Sequence, residues 1–298
     1  MTERILDFSE QPASLSVRND LLVVRPEAGE PQTLPLEEIA VLVAAHPRVT
    51  FTLAVVAGLA RHGGLLVTCD EKRQPAAMML PLETHHVQTV RYAGQARMSL
   101  PARKRLWQQI VRAKIAAQAR LLEEKTGKDW GLAMIADRVR SGDPENLEAQ
   151  AARIYWPALL GKSFRRSPEG EGPNSLLNYG YAVLRAAVTR AICAAGLHPT
   201  FGLHHHNRYD TFCLADDLME PFRPLVDRVV AKLLEEEGEA VTLDRESKQA
   251  LLEPLLGRFT CQQECRTLFD WLARTAFSLS GVVSGDSARI EIPELRHA

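Results

Sequence analysis

At 298 residues with 46% hydrophobic side chains, the chain is long enough for one large domain or two ordinary ones, with a sizeable core. Its formal net charge of −1 argues against a general polyanion binder. No apolar run approaches the roughly 18 to 20 residues of a membrane span. The N-terminus MTERILDFSE is charged and lacks the basic-then-apolar order of an export signal, so we expect a cytoplasmic protein with no membrane association.

Cysteine usage argues against a disulfide framework and against a zinc knuckle. The five cysteines are odd in number, widely scattered and without C-x-x-C spacing. Cys261 and Cys265 are four residues apart and would share a face on a helix, but most such pairs are reduced packing residues.

The first 75 residues predict a small β-rich domain. ASLSVRNDLLVVRP alternates apolar and polar residues around an Asn19-Asp20 turn signal, and EIAVLVAAHP and GGLLVTCD are compact apolar runs. Between these two runs, TFTLAVVAGLARHGG is typical of a short helix that ends at Gly63-Gly64.

The composition changes after this region. Pro75 and Pro81 frame a hinge-like stretch, which we interpret as a linker over residues 76–85. Residues 86–298 are rich in helix formers and poor in strand formers. The predicted fold class is therefore α+β, with the β-rich domain followed by a larger all-helical domain.

Four stretches carry the helical prediction. RKRLWQQIVRAKIAAQARLLEEK has apolar residues at three- and four-residue steps, and basic residues on its other face. NLEAQAARIYWPALLG predicts a helix stopped by Pro157 and Gly161. NSLLNYGYAVLRAAVTRAICAAGLHP predicts a helix with Asn174 or Ser175 as its N-cap. ADDLMEPFRPLVDRVVAKLLEEE and CQQECRTLFDWLARTAFSLSG complete the domain.

The stretch HHHNRYDTFCLADDLMEPFRP combines histidines with carboxylates, the donors that a hard divalent cation such as Mg²⁺ or Mn²⁺ accepts. Asp217 and Glu220 are three residues apart and Asp216 and Glu220 four apart, so either pair shares a helix face and spacing alone cannot choose. A plain capped helix start is the simpler interpretation of these acids. A zinc site on the three adjacent histidines is disfavoured, because they cannot easily converge on one ion.

Taken together, the ordered set YWPALLG, N-x-x-LNYGY, GLHPTFGLHH and LADDLMEPFRP resembles the CRISPR-associated integrase of the adaptation module, the Cas-one family. The resemblance is strong over residues 140–230, and the LNYGY and ADDLMEPFRP motifs are most similar to those of the type II branch. It implies a divalent metal, Mg²⁺ or Mn²⁺, bound by Glu148, His205 and Glu220. His205 follows Gly202 by three residues, and Glu220 precedes the FRP element. Asp217 is a possible additional or supporting ligand.

The same resemblance implies an enzyme that joins the 3′ ends of a short foreign DNA duplex to the borders of a CRISPR repeat, with an associated endonuclease activity. It also implies a homodimer that assembles through the β-rich domains with a small ferredoxin-like partner protein. Arg223 is expected to orient Glu220, and Tyr179 to line the site. The candidates for contacts with DNA phosphates are the basic residues Arg103, Lys104, Arg105, Arg112, Lys162, Arg165 and Arg166. The alternative is a non-catalytic nucleic-acid-binding scaffold whose acidic cluster is structural.

Overall fold

The computed structural model describes residues 3–69, 75–81, 84–167, 170–238 and 241–297. Two four-stranded sheets and one helix form its N-terminal region. The first sheet has the order β1-β5-β7-β8 and is parallel except for β8, and the second has the order β4-β3-β2-β6. The strands are β1 (Arg4–Phe8), β2 (Ala13–Arg18), β3 (Leu21–Pro26), β4 (Gln32–Pro35), β5 (Ile39–Ala44), β6 (Thr50–Phe51), β7 (Leu65–Cys69) and β8 (Pro75–Met79).

Local sequence explains this region well. Asn19 and Asp20 both have positive φ, at 52° and 57°, and so supply the tight turn that joins β2 to β3. The predicted short helix is α1 (Leu53–Arg61), followed by Gly63 in the left-handed region. Leu15, Leu42 and Leu59 belong to a core of fully or almost fully buried residues between the sheets and α1.

The first sheet is also packed against the helical region. Val41, Val43 and Val67 on its other face belong to the main core of the protein, together with residues of the long helices. β8 pairs with β7 over Pro75–Met79, so the sheet continues into the range that we interpret as a linker. Residues 82 and 83 of that range lie outside the described residues.

The helical region surrounds two long helices, α3 and α6. Its helices are α2 (Gln88–Arg97), α3 (Leu100–Thr126), α4 (Leu132–Arg138), α5 (Leu147–Leu160), α6 (Pro173–Ala194), α7 (Cys213–Met219), α8 (Arg223–Glu237), α9 (Arg245–Leu252) and α10 (Leu268–Ser284). A one-turn 3-10 helix, Glu220–Phe222, joins α7 to α8. The α+β class predicted from sequence is confirmed. No described helix is both long and apolar enough to cross a membrane.

The prediction that this second region is all helical is wrong. It contains a three-stranded antiparallel sheet of order β10-β9-β11, formed by β9 (Arg258–Cys261), β10 (Glu264–Thr267) and β11 (Arg296–His297). CQQECRTLFDWLARTAFSLSG therefore begins as part of a hairpin and continues from Leu268 as helix, with Gln262 at a φ of 56° in the turn. Strands of two to four residues are too short to show a period-2 pattern. Cys261 and Cys265 accordingly lie on paired strands, not on one helix.

Two predicted helix ends also differ. α5 continues through Pro157 and ends at Gly161, whose φ is 95°. α6 begins at Pro173 with Gly172 as its N-cap. Asn174 is not a cap, because its Oδ1 instead accepts a hydrogen bond from the Ser167 backbone nitrogen at 2.8 Å. Tertiary contacts of the preceding loop thus outweigh the local capping preference.

Candidate active site

One face of α3 forms a wall of the candidate active site. Trp107, Val111 and Lys114 lie at i, i+4 and i+7 and therefore share a face of the helix. All three are buried, including the lysine, which is only 9% exposed. A lysine is almost never this buried unless an acidic group pairs with it. Two such groups do so here.

Lys114 bridges two glutamates from different elements. Its Nζ lies 2.6 Å from Oε1 of Glu148 and 2.6 Å from Oε2 of Glu220. Burial on its own lowers the pKa of Lys114, but the charges of Glu220 and Glu148 outweigh that effect and raise it. The ammonium is therefore a fixed positive charge between two carboxylates that are far apart in sequence.

Glu148 is held by the way α5 begins. The carboxylate of Asp143 accepts hydrogen bonds from the backbone nitrogens of Leu147 at 2.9 Å and Glu148 at 3.0 Å. Asn146 caps the helix through a bond from the Ala149 nitrogen. Both Asp143 and Asn146 have positive φ, so this is a tightly specified turn. It fixes the first turn of α5 and thereby the root of the Glu148 side chain.

Glu220 is the more enclosed of the two glutamates that contact Lys114. It begins the 3-10 turn between α7 and α8 and is 4% exposed. Its Oε1 accepts a hydrogen bond from Arg223 Nη1 at 2.6 Å. Burial would raise the pKa of Glu220, but Arg223 and Lys114 outweigh burial and lower it to about 2. Its Oε2 faces the Lys114 ammonium without a hydrogen bond of good geometry to any described residue.

His205 is supported by Asp217, which is completely buried. Nδ1 of His205 lies 2.7 Å from Oδ1 of Asp217. The same carboxylate accepts bonds from the backbone nitrogens of Leu203 at 2.5 Å, His204 at 3.0 Å and His205 at 3.2 Å. The hydrogen bond to Asp217 is the main cause of the raised pKa of His205, and burial only partly opposes it. With Nδ1 engaged, Nε2 is the ring nitrogen left for a ligand.

Gly202 is required for this loop to close around Asp217. A Cβ atom at Gly202 would lie 2.3 Å from the backbone oxygen of His205 and 2.9 Å from Cβ of Cys213. The G-x-x-H element thus has a steric reason: only a glycine allows the backbone to fold back and present its amides to the aspartate.

Trp107 packs against the histidine loop. Its ring stacks on His204 at 4.2 Å between centroids, with an interplanar angle of 3°, and contacts the edge of the His205 ring at 5.7 Å. Burial against the tryptophan is the main cause of the lowered pKa of His204. His206 is exposed, and its Nδ1 faces the backbone oxygen of His205 at 2.6 Å. The three histidines therefore have different surroundings, and they do not converge on one point.

Lys114 brings Glu148 and Glu220 together by contacting both. His205 packs against the same wall of α3, because Trp107 contacts its ring. The negative charge of Glu220 is one of the causes of the raised pKa of His205. Within the described part of the chain, no three side chains of the His, Cys, Asp or Glu type are gathered as a metal cluster. The ammonium of Lys114 lies between the two glutamates, and the His205 ring is hydrogen bonded to Asp217.

The expectation that Tyr179 lines this site is wrong. Its hydroxyl hydrogen bonds Asp7 of β1, in the N-terminal region. Tyr181 is the tyrosine beside the site, because the Arg223 guanidinium lies over its ring at 4.1 Å from the centroid. Side chains two positions apart on a helix are separated by about 200° around its axis, so Tyr179 and Tyr181 face opposite sides of α6. The choice between them depends on the orientation of α6.

A buried polar layer lies behind Arg223. Tyr155 donates a hydrogen bond to Oδ2 of Asp227 at 2.7 Å, and Tyr181 bonds the other oxygen. Burial raises the pKa of Asp227 to about 6, although both tyrosine hydrogen bonds lower it.

The sequence analysis did not single out Lys114, Trp107 or this polar layer. For Lys114 a signal existed, since it follows Leu106 and Ile110 at four-residue steps on the apolar stripe of α3.

The basic candidates for DNA contacts fall into two groups. Arg103, Lys104 and Arg105 lie on the first turns of α3. Within the described ranges they form no ion pair with an acidic side chain. Arg112 donates to the backbone oxygens of Val139 at 3.1 Å and Asp137 at 3.0 Å.

The second group follows α5. Lys162 and Arg165 are exposed, and Arg165 donates to the backbone oxygen of Lys162 at 2.8 Å. Arg166 turns inward. It donates a hydrogen bond to Asn178 Oδ1 at 2.7 Å, and its guanidinium carbon lies 5.5 Å from the centroid of the Tyr181 ring. This loop therefore brings positive charge to the polar layer next to Glu220.

The fold of the chain matches that of several solved structures along almost its whole length. A casposase bound to integration product superposes with a TM-score of 0.77 at 19% identity, over 97% of this chain and 92% of that one. A Cas1 protein from Thermotoga maritima also gives a TM-score of 0.77, at 16% identity, over 98% and 100% of the two chains. A Cas6-RT-Cas1–Cas2 complex matches with a TM-score of 0.77 at 19% identity, over 99% of this chain and 36% of that one. At these identities the likeness shows the fold.

Sequence comparison then shows the family. The family described as CRISPR associated protein Cas1 matches residues 7–254. The CRISPR-associated endonuclease Cas1 of Neisseria meningitidis serogroup C (strain 8013) is 37% identical over 299 residues, 99% of this chain and 97% of that protein. A second relative, CRISPR-associated endonuclease Cas1 1 of Francisella tularensis subsp. novicida (strain U112), is 26% identical over 94% of this chain and 96% of its own. The chain belongs to the Cas1 family, as its motifs predict.

Proposed function

We propose that this protein is a metal-dependent DNA integrase of CRISPR adaptation that also has endonuclease activity. The observation that carries the proposal is the pairing of Glu148 and Glu220 across one cation, beside a histidine whose free ring nitrogen is set by Asp217. A site with two acids and one supported imidazole suits phosphoryl transfer. The endonuclease name of the Neisseria relative and the integration product bound by the casposase support the same reaction class.

Glu148, His205 and Glu220 are the proposed metal ligands. Two carboxylates and one imidazole are a donor set that Mg²⁺ accepts and that Mn²⁺ accepts more readily. The fit is supported by the position of Oε1 of Glu148 and Oε2 of Glu220, which both lie 2.6 Å from one cationic group, the Lys114 ammonium. Asp217 is better suited to a supporting role, because four donors already surround its carboxylate. Arg223 holds the other oxygen of Glu220 in place.

The reaction needs no protein nucleophile. The 3′-hydroxyl of the captured duplex would lose its proton to solvent as its oxygen bonds to a phosphorus at the border of the repeat. The bond from that phosphorus to the 3′ oxygen of the adjoining nucleotide would break, and that oxygen would take up a proton and leave as a new 3′-hydroxyl. A bound divalent cation supplies activation of the hydroxyl and stabilises the charge that develops on the phosphoryl oxygens. Hydrolysis of a phosphodiester is the same transfer with water as the attacking group.

The basic residues are proposed to hold the DNA backbone over the site. Arg103, Lys104 and Arg105 lie on the helix that supplies Trp107 and Lys114, about one turn before Trp107 and about three turns before Lys114. Lys162, Arg165 and Arg166 lie in the loop that follows α5, and Arg166 donates a hydrogen bond to Asn178 of α6. Contacts of this kind to phosphates position DNA without reading its sequence.

The proposed assembly is a cytoplasmic homodimer that forms through the β-rich region and binds a small ferredoxin-like partner protein. Apolar side chains at the surface of that region support a protein contact: Leu53 is 84% exposed and Phe51 is 39% exposed. The similar Cas6-RT-Cas1–Cas2 complex includes a second protein beside Cas1, which supports a protein partner here.

The alternative is a non-catalytic nucleic-acid-binding scaffold. One observation favours it, since Lys114 and Arg223 already neutralise the two glutamates, as they would in a purely structural cluster. Against it stands His205, whose support by a fully buried aspartate is not needed by a scaffold.

Integration of a labelled short duplex into a repeat-bearing plasmid, with Mg²⁺ or Mn²⁺, separates the two functions. We expect His205→Ala and Glu220→Ala to abolish product while DNA binding persists. His206→Ala is the matched control, because this neighbouring histidine is exposed and outside the carboxylate cluster. If His205→Ala and Glu220→Ala both integrate as well as the wild type, the catalytic proposal is wrong and the scaffold function stands.

A further inference from the structure

Lys114 occupies the position between the two proposed metal-binding glutamates. Its ammonium contacts one oxygen of each at 2.6 Å, and its side chain is 11% exposed. It projects from the middle of a 27-residue helix whose face is packed against α5 and the 3-10 turn. The contact is therefore a built feature of the core, unlike a surface ion pair.

Each glutamate already has a cationic partner without any metal. Lys114 contacts both Glu148 and Glu220, and Arg223 contacts Glu220. Buried Asp227 adds a further acid near these two basic side chains. A divalent cation bound by Glu148 and Glu220 needs carboxylate oxygens that Lys114 and Arg223 now contact, so one of the two basic side chains has to give way.

Lys114 is the side chain that can give way. Arg223 is held by Glu220 on one side and by the face of the Tyr181 ring on the other, at 4.1 Å. Lysine is a compact charge on a flexible four-carbon stem, whereas the arginine guanidinium is planar and fixed by its stacking. Among the residues that the structure describes, only Lys114 contacts both glutamates.

We propose that Lys114 is a built-in counter-ion that holds the metal-free site together and competes with the divalent cation for Glu148 and Glu220. It acts as a positioning residue: it keeps the two carboxylates side by side before metal arrives, and it weakens metal binding by stabilising the metal-free state. This inference rests on the proposed function, because it takes the two glutamates as metal ligands.

Binding of Mn²⁺, followed by electron paramagnetic resonance in the absence of DNA, tests the proposal on the full-length protein. In Lys114→Met the two carboxylates lose the cation that competes with the metal. We therefore expect Mn²⁺ to bind at least about tenfold more tightly, which is only part of the effect that an unpaired buried charge can have. In EDTA the same variant should melt at a lower temperature than the wild type, and Mn²⁺ should raise its melting temperature by more.

Lys125→Met is the matched control. Lys125 lies on the same helix and contacts Glu235 at the same distance, 2.6 Å, but Glu235 is 62% exposed and outside the site. We expect its Mn²⁺ affinity to equal that of the wild type. A loss of helix stability alone would affect both variants, whereas tighter metal binding belongs to Lys114 alone.

Mn²⁺ affinity of Lys114→Met that equals the wild-type affinity, or is weaker, overturns the inference. If Lys114→Met does not fold even with Mn²⁺, Lys114→Gln replaces it, since glutamine removes the charge and retains a polar group. The same tightening is expected for Lys114→Gln, and its absence overturns the inference equally. A wild-type protein that binds no Mn²⁺ at all, with Lys114→Met equally inert, would instead count against the metal-dependent function.

Discussion

Asp217 lies completely buried beneath His205, with one carboxylate oxygen 2.7 Å from the imidazole Nδ1. The rest of the carboxylate is used by three backbone amides of the loop from Leu203 to His205. One side chain therefore sets the shape of the loop and the ring nitrogen that faces outward. Its neighbour Asp216 has a separate role, since it pairs with Arg185.

Asp217→Asn should separate these two acids functionally. Asparagine cannot accept four hydrogen bonds with full negative charge, so we expect the orientation of His205 to be lost and Mn²⁺ affinity and integration rate to fall about 10- to 100-fold. Asp216→Asn is the control, and we expect it to stay within a few-fold of the wild type. Equal losses in the two variants would argue that Asp217 has no special connection with His205.

Glu220→Gln should destabilise the protein more than Glu148→Gln does. Glu220 is the more enclosed acid, with its side chain 5% exposed against 24% for Glu148, and it contacts both Lys114 and Arg223. Removing its charge leaves two buried cations short of a partner, which costs about 3–5 kcal/mol. Urea unfolding in EDTA measures this difference. A smaller loss for Glu220→Gln than for Glu148→Gln would contradict the importance of that ion pair for stability.

Stability near neutral pH should depend on Asp216. Burial and the neighbouring Asp210 raise the pKa of Asp216 to about 7, although Arg185 opposes them. The folded protein then holds a proton that the unfolded chain has lost above its ordinary pKa of 3.8. This contribution to stability is fully present below pH 3.8 and disappears as the pH rises towards 7.

Asp216→Asn removes that titration. Between pH 5 and pH 8 we expect the wild type to lose more unfolding free energy than Asp216→Asn does, because asparagine cannot ionise. Denaturant unfolding of both proteins at the two pH values measures the difference. Parallel pH profiles would show that Asp216 has an ordinary pKa in the folded protein.

The sequence indicates the parts of the site that depend on local order along the chain. His205 is identified by its distance from Gly202, and that spacing has a steric basis in the contact between Gly202 and the His205 oxygen. The Asn19-Asp20 turn and α1 are also decided within a few residues. Family motifs add Glu148 and Glu220, whose individual patterns are those of ordinary helix starts.

Other features depend on packing that no local pattern contains. The choice between Tyr179 and Tyr181 is made by the orientation of α6, and both residues are equally buried on a helix that is apolar on most sides. In the sheet of β9, β10 and β11, the hairpin of β9 and β10 is completed by β11, which pairs with β9 across more than thirty residues of chain. In the sequence, Lys114 is one of several basic residues of the stretch that forms α3. Only the packing of α3 against α5 and the 3-10 turn shows that its side chain points inward.

Gly202→Ala should disrupt the histidine loop without unfolding the protein. The new Cβ would lie 2.3 Å from the His205 backbone oxygen, so the loop must move away and lose its amide bonds to Asp217. We expect loss of integration and weaker Mn²⁺ binding, with helical content retained by circular dichroism. Gly281→Ala in α10 is the control, because no atom lies within 4 Å of its Cβ position, and alanine there should be neutral or stabilising. Normal integration by Gly202→Ala would show that the close approach is not needed.

The exposed basic residues at the start of α3 should set part of the salt dependence of DNA binding. Lys104 and Arg105 are exposed, and the described residues give them no acidic partner, so both charges are available to phosphates. Each phosphate contact contributes about 0.9 to the slope of log K against log salt concentration, so Lys104→Gln with Arg105→Gln should reduce the slope by up to about 2.

Arg112→Gln is the comparison variant. The Arg112 guanidinium donates hydrogen bonds to the Val139 and Asp137 carbonyls, so its loss should affect thermal stability more than the slope. Fluorescence anisotropy with a labelled duplex over a salt series gives both slopes, and an unchanged slope in the double variant would place the DNA on another face of the protein.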